Sequence, residues 1–520
     1  MSISIFLLWL VSIPLTVPGK ATPDNKAPNG KHVLPGSQGY LLSCGSDKEV
    51  ESNKLKYKPD DEFVAVGKRA AIPQPNILPL LTSARYFPNP AAKKYCYTFP
   101  VYKGGKFLVK TLYYYGGFDG GKEPPVFDQI IDGTKWNVVN TTEDYSQGLS
   151  SYYEVIIMAH GKTLSVCLAR NMHTTSSPFI SAIEVHSLDD SVYNSTDFKK
   201  HALITVARHS FANAGEVIGF PDDKFNRYWQ PMVDNHPVVS SHSNVTISPF
   251  WNHPPRKIFD TAITTSRGKI LKVSWPPFSL PSYHYYIALY FHDNRTPSPF
   301  SWRVFDVDIN GQRFYSNLNV TTSGVAVFAT EWLLGGYTEI ILTPKSNMPV
   351  GPIINAAEVL EIMPLEDKTL TRDVVAMDQI SKSTENPPDD WDGDPCMPKD
   401  HSWTGLTCTD GGTVRVTSLN LTGFGFSGLL PTAIANLTAL QHLWLGDNRF
   451  EGPIPDLSNL KSLETLHLEN NRLEGSIPES LGHLPKLREL FLQNNHLKGE
   501  IPASLASNKG LNIQYSPEFT

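Results

Sequence analysis

Three asparagines, Asn448, Asn471 and Asn495, stand 23 and 24 residues apart, and each closes the same phrase. Leu443-Trp444-Leu445, Leu466-His467-Leu468 and Leu490-Phe491-Leu492 precede them; Gly452-Pro453-Ile454-Pro455, Gly475-Ser476-Ile477-Pro478 and Gly499-Glu500-Ile501-Pro502 follow. A looser earlier copy runs from Val416 through Leu419-Asn420-Leu421 to Leu430-Pro431. No unit of this size buries its own leucines, so the units must stack, and a period in this range commits this part of the chain to a solenoid. Side chains alternate across a strand, which sends the leucines inward and the residue between them onto the concave surface. Those outward residues are Asn420, Trp444, His467 and Phe491, a column with about 4.8 Å between successive coils. Apolar rings lined up on a surface suit a partner, so Trp444, His467 and Phe491 are expected to be partner-binding.

The pattern LxxLxLxxNxLxGxIP is that of a leucine-rich repeat, and its coils are expected over 411–512, with a tail at 513–520. The first coil has no predecessor to cover its apolar end. The stretch Trp391–Cys408, WDGDPCMPKDHSWTGLTC, is suited to do so. A Cys396–Cys408 disulfide would close a short loop, worth about 3 kcal/mol by loop entropy, and hold Trp391 and Trp403 over that end. Two reduced thiols or half of a zinc site are the other readings, but no Cys or His pair at metal spacing follows. The linker and cap are expected over 363–410, with Thr371 capping a short helix that carries Val374, Val375, Met377 and Ile380 on one side. The array ends at LNIQYSPEFT with no recognisable lid, so a further domain or a partner is expected to cover its last leucines.

Upstream of 363 the texture is different: short β-like runs such as KFLVKTLYYY (106–115), YYEVIIM (152–158) and TLSVCL (163–168), broken by turn residues. With 41 prolines and 36 glycines that are not periodic, this favours a sandwich or jelly roll. The region also repeats itself. PPVFDQIIDGTKW (124–136) returns as SWRVFDVDINGQRF (301–314), SPFISAIEV (177–185) as VGPIINAAEV (350–359), and KTLYYYGGF (110–118) as IALYFHDN (287–294). Three echoes in one order indicate a duplicated domain, at 40–190 and 200–362. Each VFDxxI(D/N)G reads as a strand entering a tight turn, with Gly133 and Gly311 supplying the permissive backbone. Asp128 and Asp306 recur inside this scaffold phrase and are expected to accept hydrogen bonds rather than to catalyse. No nucleophile–base set, phosphate-cradling glycine loop or metal spacing appears, so no catalytic residue, cofactor or metal site is expected.

The apolar run from Ile3 to Val17 has the length of a secretory leader and is short for a membrane span, which sets a signal peptide at 1–19 and a polar lead-in at 20–38. No later run reaches such a length, so no membrane span is expected after it. Seven Asn-X-Ser/Thr acceptors agree with export: Asn140, Asn194, Asn244, Asn294, Asn319, Asn420 and Asn436. Of Cys44, Cys96 and Cys167 at most two can pair, and the sequence leaves the choice open. A net charge of −6 over 520 residues argues against a nucleic-acid partner.

Taken together, the paired β domains, the WDGDPC junction, the Trp-X-Gly-Leu-X-Cys cap and the GxIP repeats resemble plant malectin-like leucine-rich-repeat receptor ectodomains. The branches it is similar to are symbiosis-receptor-type receptor-like kinases and the kinase-less receptor-like protein 4 group. The resemblance implies a mostly β chain of tandem malectin-like jelly-roll sandwiches followed by a short leucine-rich-repeat solenoid. It also implies a secreted or cell-surface, non-enzymatic recognition protein. Its partners would be a wall oligosaccharide or a peptide ligand, together with a membrane receptor kinase or co-receptor. Animal malectin holds glucose disaccharides with loop aromatics and an acidic residue. By that resemblance the carbohydrate-binding candidates are Tyr113, Tyr114 and Tyr115, with Tyr290 and Phe291 in the second copy. Further loop candidates are Arg85, Tyr86, Phe118, Asp119, Arg227, Tyr228 and Trp229, residue types that stack on sugar faces and bond hydroxyls. The alternative is that these rings belong to the sandwich core and that the ligand is a peptide or co-receptor with no sugar bound.

Overall fold

A computed structural model describes residues 39–121, 123–242, 245 and 250–516. The expected leader and lead-in, the acceptor Asn244 and the last four residues lie outside the described residues.

The two β copies are joined edge to edge. One eleven-stranded sheet carries Ala182–Leu188, Lys106–Tyr113 and Ser151–Met158 from the first copy, then His201–Phe211, Ala356–Pro364, Leu280–Phe291 and Val325–Gly336 from the second. The seam is the antiparallel pairing of Val155 with Ile204 and Ile156 with Leu203. Each copy adds a smaller four-stranded sheet over one face. In the first it comprises Tyr95–Pro100, Thr163–Arg170, Phe127–Ile131 and Thr134–Val139; in the second, Leu271–Ser274, Glu339–Pro344, Trp302–Ile309 and Gln312–Thr321. Val109, Val155 and Ile183 meet Phe127, Ile131 and Val166 between the layers of the first copy. Ile287, Leu289 and Val359 meet Phe305, Val307 and Leu342 in the second. The opposite face of the shared sheet is covered by residues 189–198, 212–229 and 250–259, which seat Tyr193, Ile218, Trp229 and Phe259 on Leu108, Ile156, Tyr290 and Leu360. The central strands are therefore buried on both sides.

Both repeated turn phrases are two-residue hairpins with positive φ at each corner: Asp132 at 48° and Gly133 at 85°, Asn310 at 50° and Gly311 at 74°. Asp-Gly and Asn-Gly suit this mirror-image turn, whose twist matches the strands it joins. Asp128 and Asp306 accept hydrogen bonds as expected: Asp128 from Lys135 Nζ at 2.6 Å and Asn171 Nδ2 at 2.9 Å, Asp306 from Lys345 Nζ at 2.7 Å and Asn317 N at 2.8 Å.

In the solenoid, Val416–Asn420, His442–Trp444, Thr465–His467, Glu489–Phe491 and Asn512–Gln514 form one sheet in register, parallel from coil to coil. The periodic asparagines tie coil to coil. Asn448 donates to Leu421 O at 2.8 Å and Leu445 O at 3.0 Å and accepts from Phe426 N at 3.0 Å; Asn471 repeats this one coil on with Leu445 O, Leu468 O and Phe450 N. One amide thus satisfies several otherwise orphaned backbone groups, acting as donor and acceptor at once.

The cap closes with a Cys396–Cys408 disulfide and a stacked Trp391–Trp403 pair, centroids 5.6 Å apart. Cys96 and Cys167 form the second disulfide across paired strands, leaving Cys44 buried and unpaired. The helix runs Thr371–Ser383, but Leu370 is its N-cap and Thr371 is already inside it, so the expected Thr371 cap is corrected. Val375 is exposed rather than on the packed side. Asp373 takes an inward position because its carboxylate accepts Arg415 Nε at 2.8 Å and Val416 N at 3.0 Å.

The cap also docks on the first β copy. Lys94 Nζ, buried, donates to Asp394 O at 2.5 Å and Met397 O at 2.9 Å, and Thr98 Oγ1 donates to Asp392 Oδ1 at 2.7 Å. Burial lowers the Lys94 pKa to about 8 against the pull of Asp394, Asp390 and Asp392. Gly393, at φ 68°, lies directly on the Cys96–Cys167 disulfide: a Cβ there would stand 2.9 Å from Cys96 Sγ.

Candidate partner-binding surfaces

The concave face of the repeats carries a continuous stack of rings. His442 and Trp444 are 5.4 Å apart, Trp444 and His467 6.0 Å, and His467 and Phe491 4.3 Å with planes 16° apart. Parallel register places Asn420, Trp444, His467, Phe491 and Gln514 in one column, and His442, Thr465, Glu489 and Asn512 in the column beside it. Polar neighbours fix the rings. Trp444 Nε1 donates to Thr465 Oγ1 at 2.9 Å, His442 Nδ1 lies 3.1 Å from the same oxygen, and His467 Nε2 lies 3.3 Å from Glu489 Oε2. Trp444, His467 and Phe491 are half-buried, each keeping part of its surface open. The surface can offer a rigid apolar strip flanked by imidazole, hydroxyl and carboxylate groups. The second column was not singled out in the sequence, although the alternation that identifies Trp444 also identifies the residue two places before it.

The sugar-contact candidates separate into three places. Tyr113, Tyr114 and Tyr115 are buried; Tyr113 and Tyr115 pack on Phe179, and the Tyr115 hydroxyl donates to Asp119. Burial foremost, then this bond, raises the Tyr115 pKa, while against its own burial the pKa of Asp119 is lowered by the polar groups around its carboxylate, among them Tyr115 and Gly121 N, which donate to it. Arg85 is buried because its guanidinium is clamped to Asp60, with Nε 2.6 Å and Nη2 2.7 Å from the two carboxylate oxygens. Only Tyr86, Phe118 and Asp119 of this group reach solvent, with the Tyr86 and Phe118 rings 5.0 Å apart.

Arg227 and Trp229 are fully buried on the shared sheet, both bound to Asp223 Oδ2, at 2.9 and 3.0 Å, and Tyr228 is half-buried over Lys110. Tyr290 lies in the same layer and donates to Glu358 Oε1 at 2.6 Å; Phe291 packs on Phe305 in the second core. The expected loop exposure of Arg85, Tyr113, Tyr114, Tyr115, Arg227, Trp229, Tyr290 and Phe291 is therefore corrected. The physical reasons are local: Arg85 is clamped to Asp60, Tyr113, Tyr114 and Tyr115 belong to the first core and Phe291 to the second, and residues 212–229 bring Arg227 and Trp229 down over Tyr290 on the shared sheet, with Arg227 paired to Asp223 inside.

Among the acceptor asparagines, Asn140, Asn194, Asn319, Asn420 and Asn436 are exposed. Asn294 is half-buried, with its amide bonded to Ser240 O at 3.3 Å and to Arg303 Nη2 at 3.2 Å. Among the described residues no helix is long and apolar enough to cross a membrane, and no group of three His, Cys, Asp or Glu side chains could hold a metal ion.

Comparison with known proteins agrees with this architecture. The model of the malectin-like domain matches residues 42–362, and leucine-rich-repeat models match 439–460 and 461–507. A receptor-like protein kinase of Arabidopsis thaliana is 31% identical over 433 residues, covering 78% of this chain and 46% of the relative. A leucine-rich repeat receptor-like serine/threonine-protein kinase of the same plant is 30% identical over 424 residues, covering 78% and 48%. The chain thus spans about half the length of these relatives. Among solved structures, the Arabidopsis thaliana ANXUR1 extracellular domain superposes with a TM-score of 0.52 at 15% identity, covering 62% of this chain and 97% of its own. A chain of the complex of plant peptide RALF23 with FER and LLG2 gives 0.51 at 18%, covering 63% and 96%.

Proposed function

Because this chain belongs to the malectin-like domain family and carries leucine-rich repeats in the manner of plant receptor ectodomains, we propose that it is an extracellular recognition module whose repeats hold a protein or peptide partner. The half-exposed Trp444–His467–Phe491 stack carries this reading. Rigid aromatic anchors of limited flexibility, ringed by polar groups, are what interface centres are built from. The peptide-bearing complex among the structural neighbours supports the same class of ligand, and the kinase names of the relatives support a membrane receptor kinase or co-receptor as the second party. A wall oligosaccharide is the other reading, favoured by one observation: Tyr86, Phe118 and Asp119 gather, open to solvent, at one end of the first sandwich. Neither reading assigns catalysis to this chain.

The test is a surface-plasmon-resonance screen of the full chain against a panel of plant receptor ectodomains, synthetic secreted peptides and cell-wall oligosaccharides. Protein or peptide hits should weaken about 1,000-fold in Trp444→Ala/Phe491→Ala, two anchors at roughly 2 kcal/mol each. They should be unchanged in Tyr86→Ala/Phe118→Ala. Oligosaccharide hits lost only in the second variant would overturn the first reading in favour of the other.

A further inference from the structure

We propose that the N-glycan of Asn319 is seated on the face of Trp302, in a shallow cavity on the outside of the second copy's smaller sheet. Trp302–Ile309 and Gln312–Thr321 are antiparallel, with Trp302 opposite Thr321 and Val304 opposite Asn319. Asn319 is therefore the diagonal neighbour of Trp302 on one face, a separation of roughly 7–8 Å between backbones that long or aromatic side chains span. The intervening Val320 is fully buried, which confirms that Asn319 and Thr321 look outward together. Asn319 is exposed and makes no side-chain hydrogen bond among the described residues, whereas the Asn294 amide is bonded on both sides. Trp302 itself is 37% exposed, beside Phe300 at 76%.

Trp302, Asn319 and Thr321 line a cavity of about 690 Å³ together with Ser298, Asn317 and Thr322. That volume lies within the roughly 300–1,000 Å³ of small-ligand sites, and the lining, one large ring among hydroxyls and amides, is the composition a pyranose needs. Its apolar C–H face lies on the indole while its hydroxyl and acetamido groups bond the polar rim. An attached sugar enters at no cost in translational freedom, since the cavity and the attachment point are the same few residues. The first copy's smaller sheet is covered differently: the cap stretch lies over it, with Asp394 and Met397 3.3 Å from a Cβ built on Gly133. The equivalent Gly311 meets nothing within 4 Å. A glycan would cover part of what the cap leaves open on the second.

The inference rests on the extracellular reading, because N-glycans are added along the secretory route. The full chain is secreted from a human cell line, its glycopeptides are mapped by mass spectrometry, and the folded protein is treated with PNGase F. Asn319 should be occupied. Its glycan should be released about fivefold more slowly than those at exposed Asn194 and Asn436, which corresponds to about 1 kcal/mol of seating. Trp302→Ala should abolish the difference, and Trp302→Phe, which keeps a ring face and controls for folding, should retain most of it. Equal release rates in the unaltered protein, or protection that survives Trp302→Ala, would overturn the seat. So would an empty Asn319 when the other acceptors are filled, with the extracellular reading left standing. Absence of glycan at every acceptor would instead overturn that reading and the seat with it.

Discussion

Replacing Gly393 by alanine should separate the repeats from the β region. The glycine sits at φ 68°, where a Cβ would stand 2.9 Å from Cys96 Sγ and 3.2 Å from Cys167 Sγ, atoms fixed by their own disulfide. The left-handed backbone alone costs an L-residue about 1–2 kcal/mol. Overpacking against an immobile neighbour adds about 1–3 kcal/mol. The sum, about 2–5 kcal/mol, falls on a junction held by Lys94, Thr98 and Lys93 bonding to Asp394, Met397, Asp392 and Asp390. Gly311→Ala is the matched control: φ is 74° but nothing lies within 4 Å, so only the backbone part applies. Limited proteolysis should then cut Gly393→Ala between the β region and the repeats at least tenfold faster than the unaltered chain, while Gly311→Ala changes little there. Calorimetry should show the first unfolding transition lowered by several degrees more in Gly393→Ala than in Gly311→Ala. Equal cleavage and unchanged transitions in the two variants would falsify the steric argument and mean that the cap is not pressed against the disulfide.

Other outcomes follow from the same contacts. Cys396→Ser/Cys408→Ser should lower the stability of the repeats by about 3 kcal/mol, and loss of Cys96–Cys167, which spans 71 residues, should cost about 4 kcal/mol; denaturant titration of each variant checks both. Asp128 is held at a pKa of about 2 because the His401 imidazole 3.5 Å away and hydrogen bonds from Lys135 and Asn171 outweigh its burial. Its contribution is therefore full above its unfolded value of about 4 and is lost as pH falls through 2, so Asp128→Asn should flatten stability against pH in that acid window. Lys94 has the opposite linkage: its folded pKa near 8 lies below the unfolded value, so the unfolded chain holds more protons in between. Stability should rise from pH 8 towards 10, a slope that Lys94→Met removes. Trp444→Ala/Phe491→Ala should leave the melting temperature within about 2 °C, since both rings are half-exposed, while partner binding is lost.

The repeats were legible because every coil must meet the same demand: leucines inward, an asparagine bridging orphaned carbonyls, and a turn before the next strand. The cap disulfide and both hairpin corners were legible for similar local reasons. Tyr113, Tyr114 and Tyr115 were not. Tyr113 closes a strand that lies mid-sheet beneath layers on both sides, where alternation carries no information about solvent, and Tyr114 and Tyr115 follow it into the first core. Arg227 and Trp229 misled because an Arg-Tyr-Trp loop looks like a sugar clamp; Asp223 stands only four and six residues before them, but the packing of this loop on the sheet and the bonds of Arg227 to Asn252 O and His253 O are tertiary facts. The pairing of Cys96 with Cys167 likewise depended on two strands 71 residues apart in sequence lying side by side.

The edge-to-edge sheet has a mechanical consequence. Across the seam at Val155 and Ile156 the two copies are spliced by strand pairing, and the cap is bolted to the first copy beside its disulfide. A pull applied at the concave stripe therefore crosses first the Lys94 and Thr98 bonds that dock the cap and then the strand pairing of the seam. Load taken up at the repeats reaches the far end of the second copy without a slack joint at either crossing.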